Sequence, residues 1–177
     1  LLGSVGSIPT DGIFKSSIGF RLMLFLYQKK GMAMMELNVK HTSELAPIEL
    51  VEIFEARTSV FVVEQNCAYQ EVDRTDFDAL HVRMIENHQL VAYARIYLSQ
   101  EGVHFGRVLV VSDERGNGLG RTLIEGVLEA IQERFPGQPV HIQAQSYLTS
   151  FYASFGFEAV SDEYLEDGIP HIDMVKM

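Results

Sequence analysis

Polar and apolar residues alternate through Glu36-Leu37-Asn38-Val39-Lys40-His41, the period of a half-buried strand. Pro47 then opens a helix on which Ile48, Val51, Ile53 and Phe54 are spaced to share a face, proline being suited to a first helical turn. From Arg57 to Asp78 the pattern breaks. The apolar knot Val60-Phe61-Val62-Val63 leads into an acid-rich polar stretch, which predicts a loop with a short helical turn. Leu80 to Ile85 and Leu90 to Leu98 are strands joined at Asn87-His88, and Gln100-Glu101-Gly102 turns the chain into a strand from Val103 to Val111. Connections this short require antiparallel neighbours.

Leu119, Leu123, Ile124, Val127, Leu128, Ile131 and Phe135 step along one face of a longer helix, which Pro136-Gly137 stops. Val140-His141-Ile142 is a further strand, Tyr147 to Phe155 a short helix ended by Gly156, and Phe157 to Val160 and Ile172 to Val175 two closing strands. The order β-α-β-β-β-α-β-α-β-β, without internal repeats, predicts a mixed α/β domain over residues 35–177. Upstream, an apolar run from Ile18 to Tyr27 contains Arg21 and is followed by Lys29-Lys30. It is shorter than the roughly 20 residues that span a bilayer, and its charges follow the run, where a secretory signal places them before it. Residues 1–34 are therefore expected to be an N-terminal extension of upstream-translation or cloning origin, with Met32, Met34 or Met35 as natural starts.

A hydrophobic share of 47% with 21% charged residues predicts a folded core. The net charge of −10 argues against nucleic acid as a partner and is compatible with a cationic amine. The single cysteine, Cys67, leaves no internal disulfide, no cluster has zinc-like spacing, and the chain suits a reducing cytoplasm. Glu71 and Asp73 follow Cys67 and disfavour its thiolate, so it is assigned a structural role.

The candidate chemistry lies where the Val108-Leu109-Val110-Val111 strand runs through Ser112-Asp113-Glu114 into Arg115-Gly116-Asn117-Gly118-Leu119-Gly120-Arg121 and the long helix. A helix start offers backbone N–H groups without internal partners and the positive end of the dipole, and glycines let an anion approach the backbone. Arg115 and Arg121 add charge-assisted donors. The dinucleotide fingerprint fails because Arg121 stands where its third glycine belongs, and the nucleotide P-loop fails in both spacing and its Lys-Ser/Thr pair.

Arg115-x-x-Gly118-x-Gly120 after a hydrophobic strand resembles the acyl-CoA signature of the GNAT superfamily of N-acetyltransferases, and Phe151-Tyr152-Ala153-Ser154-Phe155-Gly156-Phe157 resembles that superfamily's later helix-to-strand segment. The run Arg57 to Gln70, then Asp73 and His81, and finally Glu166-Asp167-Gly168-Ile169-Pro170-His171 are similar to the ElaA-like branch. The resemblance implies a twisted, mostly antiparallel sheet flanked by helices, acetyl-CoA as acyl donor, and a small-molecule or peptide amine as acceptor. It also implies closing strands able to pair in a homodimer. Neither a membrane nor a metal is implied.

By the same resemblance, the backbone at Val108, Leu109 and Val110 receives the pantetheine arm, residues 115–121 hold the pyrophosphate, and Tyr152 protonates the departing thiolate as a phenol of ordinary pKa. Between Gly106 and Val111 the only ionisable residue is Arg107, so a base on that strand is absent. Glu64, Asp73, His81 and a water chain remain as candidates, and Glu64 is the favoured base, on the expectation that the preceding apolar run desolvates it and raises its pKa. Asp73, His81 and His171 are candidate substrate-binding residues, the histidines alternatively structural. An acyl-CoA sensor without catalysis and a plain interaction module are the competing functions.

Overall fold

The computed structural model describes residues 35–177, so the expected N-terminal extension lies outside the described residues. The elements are β1 (Met35–His41), α1 (Pro47–Arg57), β2 (Leu80–Glu86), β3 (Gln89–Leu98), β4 (Val103–Val110), α2 (Leu119–Arg134), β5 (Val140–Gln145), α3 (Thr149–Ala153), β6 (Glu158–Ala159), β7 (Tyr164–Glu166) and β8 (Ile169–Lys176). They build one sheet in the order β1-β2-β3-β4-β5-β8-β6, with β7 also on β8. Every pairing is antiparallel except β4 with β5.

Helices cover both faces. The apolar stripe of α2 is buried as its spacing predicts, with Leu123, Ile124 and Val127 fully enclosed against Leu37, Val82, Ala92, Ala94 and Ile96. On the opposite face α1 covers a smaller cluster of Ile53, Val60, Tyr93 and Leu109, with Leu50 and Phe54 at its margin. The face predicted for α1 is therefore partly wrong: Ile48 and Val51 point to solvent, and the buried line runs Leu50, Ile53, Phe54, Arg57. The Glu49 side chain accepts from the Ala46 amide at 2.8 Å and sets the start of α1.

The segment expected as a loop continues α1 as a wide π-helical turn, Thr58–Glu64, and contains a 3-10 turn, Arg74–Asp78, capped by Asp73. Strand β7 is a second departure. It forms a hairpin with β8 through Asp167-Gly168, whose φ values of 50° and 81° are those of a type I′ turn. That hairpin brings Glu166, Asp167, Ile169 and His171 up beside β5.

Two irregularities shape the centre of the sheet. Tyr93 pairs Leu109 and Arg95 pairs Gly106, so β4 uses one residue more than β3 and bulges at Arg107, which sits at φ 51°. Strands β4 and β5 pair only at Val103–Val140 and His104–His141, after which they separate and leave the rest of β4 without a neighbour on that side among the described residues.

A residue with a Cβ is costly in the left-handed region, so Gly168→Ala should lower stability by roughly 1–2 kcal/mol. Equilibrium urea unfolding of the wild type and variant measures this, and an unchanged midpoint would mean that the β7–β8 turn is not held in this conformation.

Candidate active site

The separation of β4 from β5 opens a cleft of about 450 Å³, within the roughly 300–1,000 Å³ typical of small-molecule sites. One wall is β4 from His104 to Val110, the other β5 from Ile142 to Gln145, with the π-helical turn at one rim and the β7–β8 hairpin at another. Val108, Leu109 and Val110 thus line the cleft on a stretch of β4 beyond its pairing with β5.

At the end of this wall the chain passes Arg115 and enters α2. Gly116 and Gly118 both have φ 82°, and a Cβ at either would meet no atom of the described residues within 4 Å. Gly118 caps α2 without a side-chain hydrogen bond, no acidic residue lies in the first turn, and Asn117 and Gly118 are exposed. The amides of Leu119 and Gly120 therefore face an open, positively polarised helix end. Arg121 is turned aside: it stacks over Phe155 at 4.8 Å and donates to the Ser154 hydroxyl at 3.0 Å.

Tyr152 lines the cleft opposite β4, its ring held among Phe105, Phe151 and Phe157. Among the described residues its hydroxyl has no hydrogen-bond partner. Its pKa is not the ordinary one expected. Burial, with a smaller contribution from Tyr147, pushes the phenol well up, so it is neutral across physiological pH and able to donate a proton or hydrogen bond.

Glu64 also lines the cleft, but its expected desolvation is reversed. The side chain is 45% exposed and forms a two-pronged pair with Arg115. The Arg115 hydrogen bonds hold its carboxyl below the usual range, which removes the ground for a general base. Arg115 in turn donates from Nε to the Val110 carbonyl at 2.9 Å.

His81 lies away from the cleft, fully buried, with Nδ1 2.8 Å from the Tyr93 hydroxyl and Nε2 2.9 Å from the Thr42 hydroxyl. Burial lowers its pKa to about 4, so it is a neutral structural histidine and not a substrate ligand. His171 does line the cleft. Its Nδ1 lies 2.8 Å from the Ile169 carbonyl, which accepts only, so the neutral ring carries its proton there and leaves Nε2 as an acceptor.

Asp73 stands behind the cleft wall in a charge lattice that the sequence reading missed. Arg57 donates from Nε to Glu71 at 2.6 Å, from Nη1 and Nη2 to Asp76 at 2.6 and 3.2 Å, and from Nη2 to the Glu71 carbonyl at 2.7 Å. Arg95 donates to Asp73 at 2.9 and 3.2 Å and to Asp76 at 2.8 Å. Arg107 reaches Glu71 at 2.8 Å, and the Tyr69 hydroxyl donates to the same carboxylate. The signal available was Arg95, the one charged residue in the apolar run from Leu90 to Leu98.

A mixed sheet with helices on both faces, whose central parallel pair separates over a glycine-rich helix start, defines the acyl-CoA N-acyltransferase fold. The chain belongs to the GNAT acetyltransferase family: a family model described as an acetyltransferase (GNAT) domain matches residues 41–177. Within it, the chain is 44% identical to protein ElaA of Escherichia coli over 148 residues, 81% of this chain and 97% of that protein. The crystal structure of that ElaA superposes with a TM-score of 0.78 at 43% identity, covering 81% of this chain and all of the other. An acyl-CoA N-acyltransferase from Pseudomonas aeruginosa gives 0.79 at 40% identity, covering 81% and 99%. Among the described residues no helix is long and apolar enough to cross a membrane, and no cluster suits a metal ion.

The lattice yields a test of acid stability. Burial alone would raise the Asp76 pKa, but hydrogen bonds from Arg57 and Arg95 outweigh it and bring it to about 2, against about 3.9 when unfolded. The resulting stabilisation is fully present above the unfolded value and is lost as pH falls through 4 towards 2. Arg57→Met should cost about 3–5 kcal/mol by leaving buried carboxylates uncompensated. Urea unfolding at pH 7 and at descending pH checks both, and a loss below 1 kcal/mol at pH 7 would show that Arg57 does not hold the lattice.

Proposed function

We propose that the protein transfers the acetyl group of acetyl-CoA to a primary amine by direct attack within a ternary complex. The observation that carries this reading is the unpaired length of β4 beyond His104, which runs from the cleft to the open amides at the start of α2. An extended arm with amide groups fits such a strand edge as an added strand. A pyrophosphate fits the helix start, where the space at Gly116 and Gly118 is empty.

The bound thioester supplies an activated acyl carbon and a thiolate leaving group. The chain's own residues do the rest. Val108, Leu109 and Val110 present backbone groups along the arm, and the amides between Arg115 and Gly120 orient the anionic end. The walls of the cleft fix the amine against the acyl carbon, which replaces an encounter in solution by a positioned one. Tyr152, kept neutral by burial and, among the described residues, without a partner for its hydroxyl, is the proton donor to the departing sulfur. Proton removal from the attacking amine falls to Nε2 of His171, the cleft-lining acceptor whose tautomer is fixed by the Ile169 carbonyl. Glu64, held by Arg115, is left to secure the rim of the cleft.

Calorimetric titration of acetyl-CoA into the wild type and Gly118→Val tests the site. The wild type should bind at micromolar concentration and the variant should not, because its side chain stands where the anion approaches, with a thermal melt confirming that the variant folds. No binding by the wild type would reduce the glycine turn to a connector. In an acyl-transfer assay, Tyr152→Phe should lower kcat by roughly a hundredfold or more while leaving the acetyl-CoA dissociation constant unchanged. Unchanged turnover would remove the acid role.

A further inference from the structure

Charge is balanced in the lattice beneath the cleft, but hydrogen-bond donors are not. Arg57, Arg95 and Arg107 face Glu71, Asp73 and Asp76. Arg57 and Arg95 take up the carboxylate oxygens with seven donor contacts between them, one of which goes to the Glu71 carbonyl. Arg107 makes none of these hydrogen bonds and meets Glu71 only as an ion pair. A guanidinium has five N–H donors, yet among the described residues Arg107 makes no hydrogen bond. Its Nε is buried 2.8 Å from Glu71 but misdirected, and its Nη2 is 3.8 Å from Asp73.

Arg107 is also where a ligand can reach it. Its side chain is 27% exposed, against 0% for Arg57 and 5% for Arg95. It lines the cleft, lies over the Tyr69 ring at 5.4 Å, and occupies the β4 bulge one residue before the backbone assigned to the acyl arm. Arg95, more than nine-tenths buried and also lining the cleft, has its own Nε without a hydrogen-bond partner among the described residues. The far wall carries the opposite sign, because Glu166 and Asp167 on the β7–β8 hairpin are exposed and, among the described residues, make no ion pair.

We infer that the amine acceptor carries a carboxylate close to its amino group, and that Arg107 is the residue that receives it. A planar guanidinium with unused donors fits a carboxylate in two-pronged fashion, while Glu166 and Asp167 attract the ammonium end. A zwitterion of the α-amino-acid class satisfies both walls and is not repelled by a protein of net charge −10. An anion without an amine has nothing to meet on the hairpin wall, and a plain cation leaves the donors of Arg107 unmet.

The assignment rests on the acyl-transfer reading, and its test separates the two. Acetyl-CoA binding to the wild type is first verified by calorimetry. CoA release is then followed with the twenty common α-amino acids, each beside its α-carboxamide, which keeps the amine and side chain and removes the negative charge. One or more acids should be accepted with kcat/KM roughly ten- to hundredfold above the matching amide, the scale of a lost charge-assisted hydrogen bond. Arg107→Gln should bring the preferred acid down towards the level of its amide, without changing the acetyl-CoA dissociation constant. The acid-to-amide ratio in the wild type needs no variant to fold, and a merely structural arginine would not alter that ratio when replaced. Amides as good as acids, equal losses on both in Arg107→Gln, or no amino acid accepted by protein that binds acetyl-CoA would each overturn the inference. Failure of the wild type to bind acetyl-CoA would take down the acyl-transfer reading itself, and this assignment with it.

Discussion

The charge lattice of Arg57, Arg95 and Arg107 with Glu71, Asp73 and Asp76, hydrogen-bonded through Arg57 and Arg95 and joined by Arg107 as an ion pair, is the interaction on which the site depends. It joins the end of α1, the segment after it, β3 and the β4 bulge at one point. Burying such charges is costly unless they are compensated, which holds Arg57 and Arg95 together with the carboxylates of Glu71, Asp73 and Asp76. That condition bears most on residues 71–78, where acidic side chains outnumber apolar ones. Tyr93 and Phe54 add their ring faces to Arg57 at 5.9 and 5.5 Å, tying the charges to the apolar cluster under α1.

From that anchor the cleft follows. Glu71 holds the side chain of Arg107, and the backbone of Arg107 takes the left-handed conformation that puts the extra residue into β4. A bulge bends its strand and increases the local twist. Past His104, β4 diverges from β5. The same residue thus relates the buried charges to the shape of the opening, and β4 carries that opening on to the glycines before α2.

Much of this was legible in the chain because it obeys local rules. The apolar stripe of α2, the Asn87-His88 hairpin and the glycine-rich helix start depend on periodicity and backbone sterics, which neighbouring residues reveal. The segment from Arg57 to Asp78 was opaque because its order comes from partners far along the chain: Arg57 meets residues 14 and 19 positions later, and Arg95 reaches back 22. Glu64 was misjudged for the same reason. Its neighbours are apolar, but its partner Arg115 lies 51 residues away. Ile48 and Val51 were assigned to the core on spacing alone, although Leu50, Ile53 and Phe54 make an equally regular face. Strand β7 had its signal in Asp167-Gly168, a type I′ pair, but with three residues it was too short to show a period.

The placement of Arg115 and Arg121 bears on how a protein of net charge −10 would accommodate a polyanionic acyl donor, as proposed. Neither arginine points freely at the start of α2: Arg115 is neutralised by Glu64, and Arg121 lies over Phe155. Attraction must then come mainly from the first-turn amides, which carry partial charge but act at contact distance. Distant carboxylates are screened beyond a Debye length of about 8 Å at physiological salt, whereas an N–H group touching a phosphate oxygen is not. Glycine matters here for proximity more than for flexibility, because the interaction is strong only if no side chain separates the anion from the backbone. An acidic surface and the proposed anion-binding helix start are therefore compatible in one small domain, the first acting over long range and the second only where the ligand has arrived.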